Sequence, residues 1–355
     1  MATYGKKHCD FLGTLVPTTD PALAATYYNG EGVHWNISDS IPAQAAYFAE
    51  CAQVNERAYR DYVVRNNGSV PGYWIFSGGL YQDFKRTGDT VSKDAVHMLA
   101  TNGSYCADTT PESWTANATR SREVSYCLTA YVNDERLGVA HRARADLLLN
   151  QALAMVPQWT QWQVILPLGS TEGPPECQGN YYLQPFMMAL LADTLRQVHA
   201  FKPDSRIPPA IKEIGDFIKA NSKGLNSQTP FYENCKTSPA SASAPWIFPT
   251  KGPAPDLALL IAPVYAWLWN ATGDVQYRDY GDALWSDGVK NAYIEQPKQF
   301  NQNYFWSFEY VKWRSAAPAP ITFAKVPKKA ITKPAPLPKD MPAKMKSTLQ
   351  PFPEK

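Results

Sequence analysis

Three carboxylates stand where a helical protein could use them for acid–base chemistry. Asp256 follows the stiff run Gly252-Pro253-Ala254-Pro255 and opens an apolar segment, which places it at a helix mouth. Glu123 lies one turn into an otherwise aromatic helical stretch, beside Arg120 and Arg122. Glu176, with Glu172 before it, sits in a Gly- and Pro-rich loop leading to Asn180. Glycoside hydrolysis uses two carboxyl groups, one protonated as general acid and one ionised as base or nucleophile. Any two of these residues facing one cavity suit that reaction. Each also has a plainer use: Asp256 as an N-cap, Glu123 as the partner of an arginine, Glu172 and Glu176 as solvated loop charges. Glu309 lies deeper in its helix and reads as structural.

Rings and amides suited to sugars gather around the same helix starts. Tyr73 and Trp74 precede one apolar helix, and Trp114, Arg122 and Tyr126 flank the next. Asn180 and Tyr181 precede a third, Trp246 stands before the helix of Asp256, and Asn301, Gln302 and Tyr304 open the last. The chain carries 11 Trp, 20 Tyr and 14 Phe, a load that exceeds what core packing alone asks of aromatic residues.

Other chemistries are absent from the pattern. The five histidines are scattered, and His97, His141 and His199 fall on outer helices or helix ends, where pairing or packing suits them. His and carboxylate clusters at ligand spacing are missing, so no metal is expected. There is no nucleophile elbow, phosphate loop or dinucleotide fingerprint, and no cofactor is expected. Six cysteines without C-x-x-C spacing allow either disulfides or buried free thiols.

Net charge is +2, but residues from 316 onward hold eight Lys against Asp340 and Glu354, a balance of +6, which leaves about −4 for the body. A mildly acidic body gives no support for nucleic-acid binding. No apolar run reaches membrane-spanning length. Met1 to Pro17 lacks the apolar core of a secretory signal, so export follows another route or a leader has been removed.

The elements that must position these residues are helices. Short polar turns recur at Thr87-Gly88-Asp89, Asn133-Asp134-Glu135, Lys202-Pro203-Asp204 and Thr272-Gly273-Asp274, each with an Asp able to cap the helix that follows. Helices are predicted over 42–66, 73–86, 90–100, 117–132, 136–155, 180–200, 207–221, 255–270, 275–286 and 300–314. The first should bury Phe48, Cys51 and Tyr59 while Glu56, Arg57, Arg60 and Asp61 face away. Apolar members such as Leu257 to Trp269, which contains no charged residue, alternate with polar ones, as an inner and an outer ring would. Residues 1–41 read as an irregular leader, 42–315 as the helical domain, and 316–355, with nine Pro and eight Lys, as an extended strap.

The hairpin turn in TGDVQYRDYGDALW and the segment FNQNYFWSFEYVKWR resemble the (α/α) toroid proteins, the helical-barrel architecture of many glycoside hydrolases and polysaccharide lyases. The resemblance covers about residues 42–314 and implies an all-α toroid of about five helical hairpins. It also implies a polysaccharide or surface glycan as ligand and hydrolase-like cleavage as the activity. The expected setting is extracellular or virion-associated. The competing expectation is a non-catalytic structural subunit whose leader and residues 316–355 clasp neighbouring subunits.

Overall fold

The computed structural model describes residues 1–170, 173–238 and 244–323. The fold is all-α. Its helices are α1 (Ala2–Gly13), α2 (Asp20–Ala25), α3 (Gly30–Ser40), α4 (Ala45–Arg65), α5 (Ser77–Thr87), α6 (Thr90–Asn102), α7 (Ser121–Arg136), α8 (Ala143–Thr160), α9 (Pro185–Phe201), α10 (Ile207–Asn221), α11 (Pro255–Thr272), α12 (Val275–Asn291) and α13 (Pro297–Ser315). Two three-residue strands, β1 (Tyr181–Leu183) and β2 (Asn234–Lys236), pair antiparallel with Tyr182 opposite Cys235. No helix among the described residues is long and apolar enough to cross a membrane.

The odd-numbered helices from α3 to α13 form a closed circuit of neighbours. α3 packs on α5, α5 on α7, α7 on α9, α9 on α11, α11 on α13, and α13 returns to α3. α7, α9 and α11 are buried almost all round. The even-numbered helices bury one face, as Ile207, Ile211, Ile214 and Ile218 of α10 illustrate. Asp89 and Asp274 cap α6 and α12 by accepting the N–H of Val91 and Gln276. Asp204 accepts the N–H of Arg206 just ahead of α10.

Four expectations need correction. Residues 1–41 are not irregular: they form α1, α2 and α3, and α3 supplies the circuit with a sixth member beyond the five read from the sequence. It is α3, then, that α13 meets at the closure. Asn133-Asp134-Glu135 is no turn. α7 runs through it, because Asp134 is buried and its carboxylate accepts from the His97 ring at 2.9 Å, which removes the need for a capping break. Glu56 does not face solvent, and Arg60 follows it inward at 16% side-chain exposure.

All six cysteines are paired, as Cys9–Cys51, Cys106–Cys127 and Cys177–Cys235. Cys9–Cys51 ties α1 to α4, and Cys177–Cys235 ties the loop before β1 to β2. Of the Pro/Lys strap, residues 316–323 lie back on the body. Ala319 and Ile321 donate to the carbonyls of Asn270 and Ala271, and the Asn270 amide donates to Ala317 O. The remainder, 324–355, is outside the described residues, as is Glu172.

Candidate functional site

Contacts link the starts of α3, α5 and α7 and join α13 to both α3 and α11, while Tyr232, stacked on Phe186, brings the start of α9 toward this mouth. At α3, Tyr27, Tyr28 and Asn29 form a tight turn in which Tyr28 (φ 64°) and Asn29 (φ 58°) both take left-handed backbone. Left-handed tyrosine is unfavourable, and such strain persists only where neighbours enforce it. Here the Asn301 amide, from the first turn of α13, donates to Ala25 O (3.0 Å) and Tyr27 O (2.9 Å), while Asn29 Oδ1 accepts the Gly79 N–H of α5 at 2.7 Å. Gly30 must lack a side chain, because a Cβ there would stand 2.6 Å from both Asn301 Nδ2 and Asn55 Oδ1.

The turn drives two tyrosine rings into the mouth. Tyr27 meets Trp74 edge-on at 4.6 Å and Phe76 at 5.1 Å, and Tyr28 lies 5.8 Å from Phe76. Trp74 and Tyr73 come from a 3-10 turn, Gly72–Trp74, whose Gly72 packs so closely that a Cβ would stand 2.8 Å from both Glu123 and Tyr105. Arg122, at the start of α7, lies 5.7 Å over the Tyr73 ring. Tyr126, one turn on, contacts Phe76 at 5.3 Å. Lys298, at the start of α13, sits 5.2 Å over Tyr27. From β2's leading edge Tyr232 stacks on Phe186 of α9 at 5.0 Å and feels the charge of Arg122 and the phenol of Tyr28.

Burial sets the electrostatics. It pushes the phenols of Tyr27, Tyr28, Tyr126 and Tyr232 above the ordinary tyrosine range, so all four are neutral hydroxyls at physiological pH. Burial, and then the charge of Arg122, lowers the Lys298 ammonium. Burial alone would raise Glu123; the arginines Arg122 and Arg120 outweigh it and hold the carboxyl below its usual range. Arg122 donates twice to Glu123 Oε1, at 2.7 and 3.1 Å. Glu123 is thus ionised, suited to a base, a nucleophile or a charge anchor and unsuited to a general acid.

The other two candidate carboxylates do different work. Asp256 Oδ1 accepts from Tyr293 N (2.9 Å) and Asn303 Nδ2 (3.1 Å), and its carbonyl accepts from Gln302 Nε2 (3.2 Å), which fastens α11 to the start of α13. Glu176 is exposed on the loop before β1. Asn180 closes that same loop by donating to Glu176 O. Trp246 packs on Trp162 and Phe231, with Lys236 4.3 Å over its ring, beside β2. Tyr181 is half-buried in β1 opposite Lys236. Tyr304 belongs elsewhere: it packs on Phe300 and Phe308 in the small core around Cys9–Cys51 and Phe48, because its position on α13 faces α1.

The mouth therefore unites Tyr73, Trp74, Arg122, Glu123 and Tyr126 with Tyr27, Tyr28, Tyr232 and Lys298, which sequence reasoning passed over. The available signal was the doublet Tyr27-Tyr28 directly before Asn29-Gly30, a turn dipeptide, and the two rings meet edge-on at 5.2 Å. Asn301 and Gln302 support the mouth through backbone carbonyls. The isolated histidines take pairing roles: His141 bridges Glu135 and Asp146, and His34 is buried against Gly30 O. Comparison with protein-family models, with curated proteins and with solved structures finds no match to this chain.

Proposed function

We propose that the chain is a carbohydrate-binding protein of toroidal architecture, built on a circuit of six helices with about five helical hairpins, that takes a polysaccharide or surface glycan at this mouth. The closed circuit of odd-numbered helices supports the architecture. One observation carries the function: five tyrosines and Trp74 converge with Arg122 and Lys298 where these helix starts meet. Tyrosine offers a flat apolar face for a sugar ring and a hydroxyl for its OH groups, and buried neutral phenols keep both abilities at neutral pH. The two cations favour a glycan bearing acidic groups. Three disulfides fit an oxidising, extracellular or virion-surface setting. Glu123 is the residue around which hydrolase-like cleavage would be organised.

Affinity electrophoresis of the whole protein through gels containing neutral and acidic polysaccharides tests the reading. Tyr73→Ala and Tyr232→Ala should each weaken binding about tenfold, the loss of one ring contact of ~1–1.5 kcal/mol. Absence of retardation in every gel, or retardation unchanged in both variants, removes the proposal. Reducing-end release that disappears in Glu123→Gln would add cleavage to binding.

A further inference from the structure

Four carboxylates converge in the wall formed by α3, α4, α5 and the start of α6. One carboxylate oxygen each of Glu56, Asp83 and Asp89 lies within 4.8 Å of the others. Glu56 and Asp83 are buried, while the Asp89 side chain, 31% exposed, connects the cluster to solvent. Behind them stands Glu31, 3% exposed, whose nearest acidic influences are Glu56 and Asp83 and whose Oε1 is buried without a hydrogen-bond partner. Arg60 is the cation of the group, its Nη1 2.5 Å from both Glu56 Oε1 and Asp89 Oδ2. Four carboxylates against one guanidinium give 1 − 4 = −3 when all are ionised.

Hydrogen bonds leave that charge uncompensated. Ser92 Oγ is 3.0 Å from Glu56 Oε1 and 2.8 Å from Asp83 Oδ2, yet a hydroxyl has one proton to donate. With Arg60 on Glu56 Oε1, Ser92 can serve Asp83, and Glu31 Oε1 is the oxygen of the group left without a donor. Buried carboxylate oxygens in this condition call for protons or a cation. The donor set is oxygen throughout, which selects a hard ion over zinc or copper. Three protein carboxylates with oxygens within 4.8 Å of one another suit calcium, which takes many oxygen ligands in flexible geometry, better than magnesium, which keeps several waters and is held through one or two carboxylates.

We propose that Glu56, Asp83 and Asp89, with the Ser92 hydroxyl beside them and Glu31 supplying charge from behind, bind one hard divalent cation of the calcium type. The site is separate from the mouth and does not depend on the glycan reading. The test uses the full chain stripped with EDTA and titrated with CaCl2, followed by native mass spectrometry, calorimetry and thermal unfolding. One calcium per chain and a rise in Tm with calcium concentration are expected, with MgCl2 at least tenfold weaker. Asp83→Asn removes a charge while keeping a neutral oxygen and should weaken calcium at least tenfold. Glu31→Gln leaves the three ligands in place and should weaken calcium about tenfold or more, so it decides the matter if Asp83→Asn fails to fold. No increment and no Tm shift at 10 mM CaCl2 would overturn the proposal; so would unchanged affinity in Glu31→Gln, or magnesium binding more tightly than calcium.

Discussion

Removing the charge of Glu56 should stabilise the metal-free protein at alkaline pH. Burial, outweighing Arg60, pushes the Glu56 carboxyl up to about 7 from an ordinary value of 4.5, with Asp83 adding to the rise. A folded-state pKa above the unfolded one means that protonated Glu56 contributes its stability in full below pH 4.5. That contribution is lost as pH rises through about 7. The difference, 7 − 4.5 = 2.5 units, is worth about 3 kcal/mol at 1.36 kcal/mol per unit, and solvent reaching the cluster past Asp89 trims it to about 2. Glu56→Gln keeps the neutral shape, so with EDTA present it should match the parent within about 0.5 kcal/mol at pH 4 and exceed it by about 2 kcal/mol at pH 8.5. At a ΔΔG of that size a chain of this length gains about 2–3 °C in Tm. Urea unfolding at the two pH values reads the effect directly. A variant equally or less stable than the parent at pH 8.5 would mean that Arg60 holds Glu56 ionised, and the reasoning on this cluster would fail. Adding calcium should reverse the ranking, because the parent then gains a ligand that the amide replaces poorly.

Two further outcomes follow from contacts at the mouth. Asn301→Ala deletes two buried hydrogen bonds to Ala25 O and Tyr27 O; it should cost about 1–3 kcal/mol in urea unfolding and lower glycan affinity more than a distant substitution of equal cost, since it releases the Tyr27-Tyr28 turn. Replacing Cys177 and Cys235 together by Ser opens a loop spanning 58 residues, for which chain entropy gives about 4 kcal/mol, and the far-UV spectrum at 25 °C should remain helical because α7, α9 and α11 do not depend on that link.

The helices that could be read from the chain were those whose burial is written in composition. Leu257 to Trp269 carries no charge and forms α11, buried all round, and α10 shows its apolar stripe at every third or fourth residue. α3 was illegible for the opposite reason. Its sequence, GEGVHWNISDS, has two glycines and three acidic or amide side chains, and it is helical because polar partners elsewhere hold it: Asn301 and Asn55 crowd Gly30, and Asn29 grips α5. Tertiary contact overrode propensity there. Asp134 misled in the same way, since an Asp in a polar triplet resembles a cap until its own burial and its partner, His97, are known.

The same physics explains which part of the mouth was visible. Tyr73, Arg122 and Tyr126 precede or begin apolar helices, so periodicity located them. Tyr27, Tyr28 and Tyr232 sit on turns and a strand edge, where no period exists, and Lys298 lies in the first turn of α13, where only the closure of α13 on α3 brings it over Tyr27. A residue reached through ring closure is invisible to any local pattern, because its neighbour is more than 270 positions away. That argues for treating the Asn301 bridge as the determinant of the mouth: it is the contact that joins the last circuit helix to the strained turn of the first. With it in place, Tyr28 is held at a backbone angle tyrosine avoids. Removing it should loosen the turn, which then leans on the Asn29–Gly79 bond, and shift both rings together.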